Sequence, residues 1–243
     1  KLARTEIISA EQRVVSLASR GLSAVLGLLA ILGVLLRLRT WKRDIVPLAL
    51  MAAPMPVLFV TPYGGEVIFR LYLFATPLLA YFAASVFIPS QEDAKSGWRL
   101  PVLGIILLLM APAFVLANNG KDAQYWFSPE EVEAADFLYG NSKPGQLLIE
   151  GSRSYPSQFR NYENFAYVPL SEELPELADE LLDAPDRLIV RWLRSNPEGG
   201  YVVITRSQKA MFDAMGLLPQ GALEEIERRL ISSPDLDLVF ANK

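Results

Sequence analysis

The stretch LPVLGIILLLMAPAFVLA, residues 100–117, contains no charged residue. A helix needs about 20 mainly apolar residues to cross the ~30 Å hydrocarbon core of a bilayer. Three more apolar stretches precede it, at residues 21–36, 45–60 and 67–89. We therefore predict an α-helical membrane region of about four transmembrane helices over residues 21–117, followed by a separate domain over residues 118–243.

The charges divide at the same point. Residues 1–117 carry 11 Lys and Arg against 6 Asp and Glu, a net charge of +5, whereas residues 118–243 carry 12 against 21, a net charge of −9. An acidic domain argues against nucleic acid as a partner, because phosphates bind clustered Lys and Arg. The chain has no Cys and no His, which excludes disulfides, Cys/His zinc sites and Ser-His-Asp triads within it.

The charges of the links predict an orientation. The link after the first stretch and the link before the fourth contain basic residues, whereas TPYGGE, between the second and third, contains none. By the positive-inside rule, the two basic links are cytoplasmic and the C-terminal domain is extracytoplasmic, in a multi-pass protein of the plasma membrane. The basic residues of segment 1–20 would then lie outside, and we interpret that segment as an amphipathic helix in the membrane interface.

Two pairs of residues in or next to the apolar stretches are structural or functional candidates. Glu66 and Arg70 are four apart and can pair on one helix face at the membrane interface. We favour a structural clamp over a functional ion pair. Gly27 and Gly33 can allow close packing between helices.

The C-terminal domain alternates helix and strand signals. Ser128 and Glu131 form a capping box around Pro129, which predicts a helix ending near Gly140. Apolar runs predict strands and amphipathic runs predict helices; the strands are 146–150, 166–170, 200–205 and 236–240, and the helices are 172–183, 185–195, 207–215 and 219–232. This order predicts a small Rossmann-like α/β domain with a mostly parallel sheet. There is no GxGxxG or Walker motif, so we predict no nucleotide cofactor.

Ligands of open α/β sheets bind beyond the carboxyl ends of the strands. The residues there that could hold a phosphate, a carboxylate or a sugar are Arg153, Tyr155, Arg160, Tyr162 and Arg206. The alternative is that the arginines pair with the domain's own acids or dock it on the membrane region. No catalytic residue and no metal ligand can be named from the pattern.

Several segments resemble the C-terminal part of large actinobacterial-type membrane proteins described as glycosyltransferase-like, with a GT-C-type architecture. They are TPYGGEVIFRLYLFATPLLAYFAA (61–84), FSPEEVEAADFLY (127–139), FRNYENFAYV (159–168), GYVVITRSQKAMF (200–212) and LPQGALEEIERRL (218–230). The resemblance implies a lipid-linked sugar donor and, in some members, a divalent metal held by carboxylates. It also implies a catalytic acid in an early extracytoplasmic loop. We therefore interpret this chain as a C-terminal fragment without that acid.

Two functions remain open. The first is the distal part of a membrane glycosyltransferase in cell-envelope glycan assembly, with lipid-linked sugar or polysaccharide and membrane lipid as partners. The second is a non-enzymatic membrane component, such as an export, polymerase-accessory or scaffold subunit, whose outer domain binds a glycan or a partner. A transporter is less favoured, because there is no symmetric pair of interrupted half-helices.

Overall fold

The computed structural model describes residues 8–37, 41–56, 64–88 and 97–242, apart from the side chains at 41–43, 64–66 and 175. Across these residues the protein is mostly helical, with one small parallel sheet. The chain divides into two compact units. Residues 16–118 form the apolar unit, and the described residues on either side of them form the α/β unit.

The apolar unit is built from helices α1 (Ala10–Arg37), α2 (Trp41–Ala52), α3 (Gly64–Ser85) and α4 (Arg99–Asn119). Of these, α1, α3 and α4 are long and apolar enough to cross a membrane. No residue of α4 is buried, and Leu108 is 74% exposed. Exposed apolar surface of this extent is unfavourable in water, so these helices are suited to a hydrocarbon surrounding.

The predicted second span, residues 45–60, is not seen as one helix. α2 contains 12 residues and ends at Ala52, two residues before Pro54. The residue before a proline is disfavoured in the α conformation, which accounts for the end of the helix there. Residues 57–60 lie outside the described residues, so a count of four spans is not confirmed.

The predicted boundary after residue 20 does not coincide with a break in the helix. Ser9 begins α1, because its hydroxyl accepts a hydrogen bond from the Gln12 amide at 3.2 Å. From Ala10 the helix continues without interruption to Arg37. The first seven residues of the predicted interfacial segment lie outside the described part of the chain.

One of the two predicted packing glycines lies at a close helix contact. A Cβ atom on Gly33 of α1 would stand 1.9 Å from the Phe82 carbonyl oxygen of α3, so only glycine fits there. A Cβ atom on Gly27 would meet nothing within 4 Å. The same unit contains a buried carboxylate, Asp44, which accepts hydrogen bonds from Arg37 at 2.8 Å and from Tyr81 at 3.1 Å.

The α/β unit contains six helices and three strands after Asn119 in the described chain. In chain order they are α5 (Asp122–Tyr125), α6 (Pro129–Asn141), β1 (Leu147–Glu150), β2 (Ala166–Pro169), α7 (Leu170–Asp183), α8 (Pro185–Ser195), β3 (Gly200–Val203), α9 (Arg206–Met215) and α10 (Ala222–Ile231). The strands are parallel in the order β2-β1-β3. Ile149 of the central strand lies opposite Val168 and Val202.

Side chains of β1 alternate between two apolar clusters. Leu147 and Ile149 pack into a core built mainly from α7, α8, α9 and α10. Leu148 packs on the other face with Tyr139 of α6 and with Tyr155. Because successive strand residues point to opposite faces, Glu150 shares the Leu148 side of the sheet.

The predicted fourth strand, residues 236–240, is wrong. This segment is not paired with the sheet. Its Phe240 ring stacks on Phe137 of α6 with 4.7 Å between ring centroids, and Asn242 donates a hydrogen bond to the Glu130 carbonyl at 2.7 Å. The apolar side chain of Phe240, part of the pattern that predicted a strand, packs against α6 instead. The finer Rossmann-like assignment stays a prediction.

Candidate functional site

The segment between β1 and β2, residues 151–165, carries most of the predicted ligand-binding residues. We call it the β1 loop. Its first residues are fixed to the neighbouring elements by hydrogen bonds. Gly151 donates to the Val203 carbonyl at 3.3 Å and accepts from the Ser171 amide at 3.0 Å, and buried Gln208 donates to the Ser152 carbonyl at 2.8 Å. The start of the loop is therefore held by β3, α7 and α9 together.

Tyr139 of α6 holds the second half of the β1 loop. Its hydroxyl accepts a hydrogen bond from the Gln158 amide at 2.8 Å and shares one with the Tyr167 hydroxyl at 3.2 Å. Gln158 has a φ of 56°, in the left-handed region, which non-glycine residues adopt only when their surroundings hold them there. The Tyr139 ring also lies near Phe159, with 6.5 Å between centroids.

The anchored loop presents an exposed group of aromatic and charged side chains. Arg160 lies 5.3 Å from the centre of the Phe159 ring and 3.0 Å from the Asp136 carboxylate of α6. Phe159 is 44% exposed and Tyr162, in a short 3₁₀ turn of the same loop, is 53% exposed. We call Asp136, Phe159, Arg160 and Tyr162 the loop surface.

The other predicted ligand-binding residues have different surroundings. Arg153 is exposed and its Nε lies 3.3 Å from the Glu172 carboxylate of α7. Tyr155 is 2% exposed, so its ring belongs to the core and offers no surface to a ligand. The Tyr155 hydroxyl has no hydrogen-bond partner within the described chain.

Arg206 is engaged within the α/β unit. Its guanidinium donates to the Trp126 carbonyl at 2.8 Å and to Glu131 of α6 at 3.2 Å, and it lies 5.7 Å from the centre of the Trp126 ring. Each of the three predicted arginines therefore pairs with a carboxylate of its own unit, as the alternative interpretation expected. Arg160 and Tyr162 are both exposed on the β1 loop, while Arg153 and Arg206 lie at other contacts.

Glu150 is a buried carboxyl at the last position of the central strand, β1. It is 0% exposed, and the Ser157 hydroxyl of the β1 loop donates to its two oxygens at 3.0 and 3.3 Å. Burial raises the pKa of Glu150 to about 7, against the opposing effects of the Ser157 hydrogen bond and the Arg153 charge. This carboxyl changes charge near neutral pH, next to the loop that carries the exposed surface.

The tyrosines beside Glu150 have perturbed titrations as well. Burial raises the pKa of Tyr155, and the negative charge of Glu150 raises it further. Burial likewise raises the pKa of Tyr167, with a contribution from its hydrogen bond to Tyr139. Both hydroxyls therefore stay protonated at physiological pH.

Glu150 and Ser157 were not among the residues predicted from the sequence. The available signal was the run QLLIE at 146–150, in which an acid ends a strand that is buried at every position from Leu147. A strand with no exposed position places its last residue in the core as well. The serine that satisfies this acid is seven residues away, beyond any local pattern.

The Glu66 side chain lies outside the described residues, so its pairing with Arg70 stays a prediction. Among the residues that the structure describes, no group of three or more carboxylates could hold a metal ion. The divalent metal that the resemblance implies therefore has no matching ligand set in this part of the chain, and we derive no step through it.

Among the described residues of the α/β unit, Glu131 is the carboxylate that accepts the most hydrogen bonds. It accepts hydrogen bonds from the Ser128 amide at 3.0 Å, from the Ser207 amide at 2.8 Å, from the Ser207 hydroxyl and from Arg206. Burial acts to raise its pKa, but the bonds from Ser207 and Ser128 outweigh burial and lower it below the usual value. This residue joins the start of α6 to the start of α9.

Comparison of the chain with protein-family models, with curated proteins and with solved structures gave no match.

Proposed function

We propose that this chain serves glycan assembly at a membrane, and that its α/β unit binds a glycan chain on the loop surface. The apolar helices would anchor the protein in lipid. The proposal rests on one observation. Phe159, Arg160 and Tyr162 are exposed on a loop that the Tyr139 hydroxyl fixes by accepting a hydrogen bond from the Gln158 amide. The resemblance to glycosyltransferase-like membrane proteins points in the same direction.

The chemistry of the loop surface matches that of a sugar chain. Sugar rings have apolar C–H faces that pack on aromatic rings, and Phe159 and Tyr162 are exposed for such packing. Sugar hydroxyls both donate and accept hydrogen bonds, and the Arg160 guanidinium and the Asp136 carboxylate offer both kinds of partner. An anchored loop loses little entropy on binding, which favours affinity.

The geometry favours a binding role for this unit over a catalytic one. Glu150, the carboxyl whose pKa of about 7 suits proton transfer, is fully buried and cannot reach a bound sugar. We therefore propose that the transfer from a lipid-linked sugar takes place in another part of the protein. The second candidate, a non-enzymatic envelope component, would use the same loop surface, because an exposed aromatic group also fits a protein partner.

A matched set of variants tests the glycan proposal. In the full chain held in neutral lipid nanodiscs, we expect Phe159→Ala combined with Tyr162→Ala to weaken binding of cell-envelope polysaccharide by about tenfold or more. Tyr125→Ala, which removes an exposed aromatic ring outside the loop, should leave binding unchanged. Equal binding by the parent protein, the double variant and Tyr125→Ala would refute the loop surface as the glycan site.

The proposed orientation has its own test. The chain contains no native cysteine, so single cysteines can be introduced without background. We expect Gly97→Cys, before α4, and Lys121→Cys, after it, to be labelled from opposite sides of the membrane, with Lys121→Cys accessible from outside. Labelling of both from one side would refute the proposed span between them.

A further inference from the structure

A cavity beside helix α8 lies apart from the loop surface. Its volume is about 500 Å³, within the range of sites that hold small ligands. Three arginines of one helix line it, Arg187, Arg191 and Arg194, together with the carboxylates of Asp186 and Asp235. The net charge of this lining is positive, although residues 118–243 as a whole carry a net charge of −9.

The ion pairs of the α/β unit single out Arg187. Among the described residues after Asn119, every other arginine has a carboxylate partner; these are Arg153, Arg160, Arg191, Arg194, Arg206, Arg228 and Arg229. Arg187 has no ion pair or hydrogen bond to a described residue. An unpaired arginine in a unit with such an excess of acids, lining a cavity, is positioned to receive an external anion.

The partners of the other two arginines are easily replaced. Arg191 pairs with Glu180 at 2.9 Å and Arg194 with Asp235 at 2.7 Å, and both arginine side chains are more than half exposed. Exposed ion pairs of this kind contribute little to stability, so a ligand carboxylate can displace them at small cost. The displaced Asp235 would remain at the edge of the cavity as an acceptor for hydroxyl groups.

The spacing of the arginines indicates the shape of the anion. Positions 187, 191 and 194 fall on one face of the helix, and the helix rise separates them by about 6 Å and about 4.5 Å along the axis. These separations are close to the length of one sugar unit in a chain. A linear ligand with one negative charge on each successive sugar would therefore match the row.

We propose that the α8 cavity binds an acidic glycan whose successive sugars carry carboxylates. A nucleic acid fits less well, because it is a dense polyanion that extends beyond the α8 cavity, where the net negative charge of the unit repels it. The site is separate from the loop surface. It therefore stands or falls independently of the function proposed above.

Fluorescence anisotropy with a labelled oligogalacturonate tests this site, using the full chain in nanodiscs of zwitterionic lipid. We expect Arg187→Ala to weaken binding by at least about fivefold, and Arg187→Lys, which keeps the charge without the planar fork, by less. Arg228→Ala is the matched control, because Arg228 is exposed and ion-paired on α10. Binding should also weaken as salt rises, because the pairing is electrostatic.

Four results would overturn the inference. The first three are equal losses in Arg187→Ala and Arg228→Ala, equal competition by a neutral oligoglucan, and equal competition by inorganic phosphate at the same charge concentration; the fourth concerns the loop-surface variant. The double variant Phe159→Ala/Tyr162→Ala should still bind the oligogalacturonate. If that variant loses polysaccharide but keeps oligogalacturonate, the two sites are distinct; if it loses both equally, the α8 cavity is not a site of its own.

Discussion

Glu131 and Glu150 are both buried carboxylates of the α/β unit, 5% and 0% exposed, yet their surroundings shift their pKa values in opposite directions. Glu131 has four hydrogen-bond donors, two backbone amides, a hydroxyl and a guanidinium. Glu150 has one, the Ser157 hydroxyl. The pKa of Glu131 is accordingly lowered, while burial raises the pKa of Glu150 to about 7.

The difference shows that the number of donors, and not burial alone, decides what a buried carboxylate does. Removal from water penalises the charged form of both groups, and hydrogen bonds to the charged form offset that penalty. Glu131 is ionised and joins α6 to α9. Glu150 is close to changing charge at neutral pH, beneath the loop that carries the proposed glycan surface.

Removing Glu131, the carboxylate with four donors, should destabilise the protein most. Glu131→Ala leaves the Ser207 and Ser128 amides without their side-chain acceptor and removes the ion pair of Arg206, and we expect the free energy of unfolding to fall by about 4 kcal/mol. Hydrogen exchange of the β1 amides in the full chain would then accelerate by about a thousandfold. Glu133→Ala, at an exposed position of the same helix, should change the exchange rate of these amides little. Equal exchange rates in the two variants would contradict the role of Glu131 in holding α6 and α9 together.

The pH dependence of stability tests the poorly satisfied carboxylate. Between the ordinary carboxyl pKa near 4.5 and the folded value of about 7, folded Glu150 keeps a proton that the unfolded chain has released. Unfolding therefore releases a proton, and raising the pH through this window favours the unfolded state, by about 3 kcal/mol at pH 8 relative to pH 4.5. Below the window both states are protonated and this penalty is absent.

Glu150→Gln is the variant that isolates this effect. Glutamine cannot ionise, so the difference in unfolding free energy between the variant and the parent protein should grow as the pH rises from about 4.5 to about 7. Urea unfolding of both proteins across this range provides the measurement. Parallel curves would show that Glu150 titrates normally.

Two arginines of the α/β unit differ in the burial of the carboxylates that they contact. Arg206 reaches a carboxylate that is almost fully buried, whereas Arg160 pairs with Asp136 where both side chains are about half exposed. We expect Arg206→Ala to lower the free energy of unfolding by about 2 kcal/mol and Arg160→Ala by less than about 0.5 kcal/mol. Urea unfolding at pH 7 compares them directly. Similar losses would mean that burial of the carboxylate does not strengthen its pair.

Part of this comparison could be predicted from the sequence. The capping box around Pro129 identified α6 and placed Glu131 in its first turn, and the structure confirms both bonds of that box. Local spacing contains this information, because the two partners are three residues apart. The bond from Ser207 could not be predicted, since that residue is 76 positions away and only tertiary packing brings it to Glu131.

The same distinction separates the correct and incorrect elements of the fold. Runs of apolar residues predicted β1, β2 and β3. Strands buried on both faces have continuous apolar sequences, and β1 is buried at every position, whereas β2 and β3 are only partly buried. Residues 236–240 have a comparable pattern, but Phe240 meets its apolar partner on α6. In the apolar unit, hydropathy predicted the three long helices, but it could not predict that α2 would end before Pro54.

Removing the single described donor of Glu150, the Ser157 hydroxyl, should have a modest and pH-dependent effect. Ser157→Ala removes that bond, and we expect a loss of about 1 kcal/mol at pH 8, where the carboxylate is ionised, and a smaller loss at pH 5, where it is protonated. Ser171→Ala is the control, because its hydroxyl makes no hydrogen bond within the described chain. Urea unfolding at both pH values measures the effect. A loss independent of pH would mean that the Ser157 bond contributes the same stability whether Glu150 is charged or neutral. The β1 loop would then be held equally well in both protonation states.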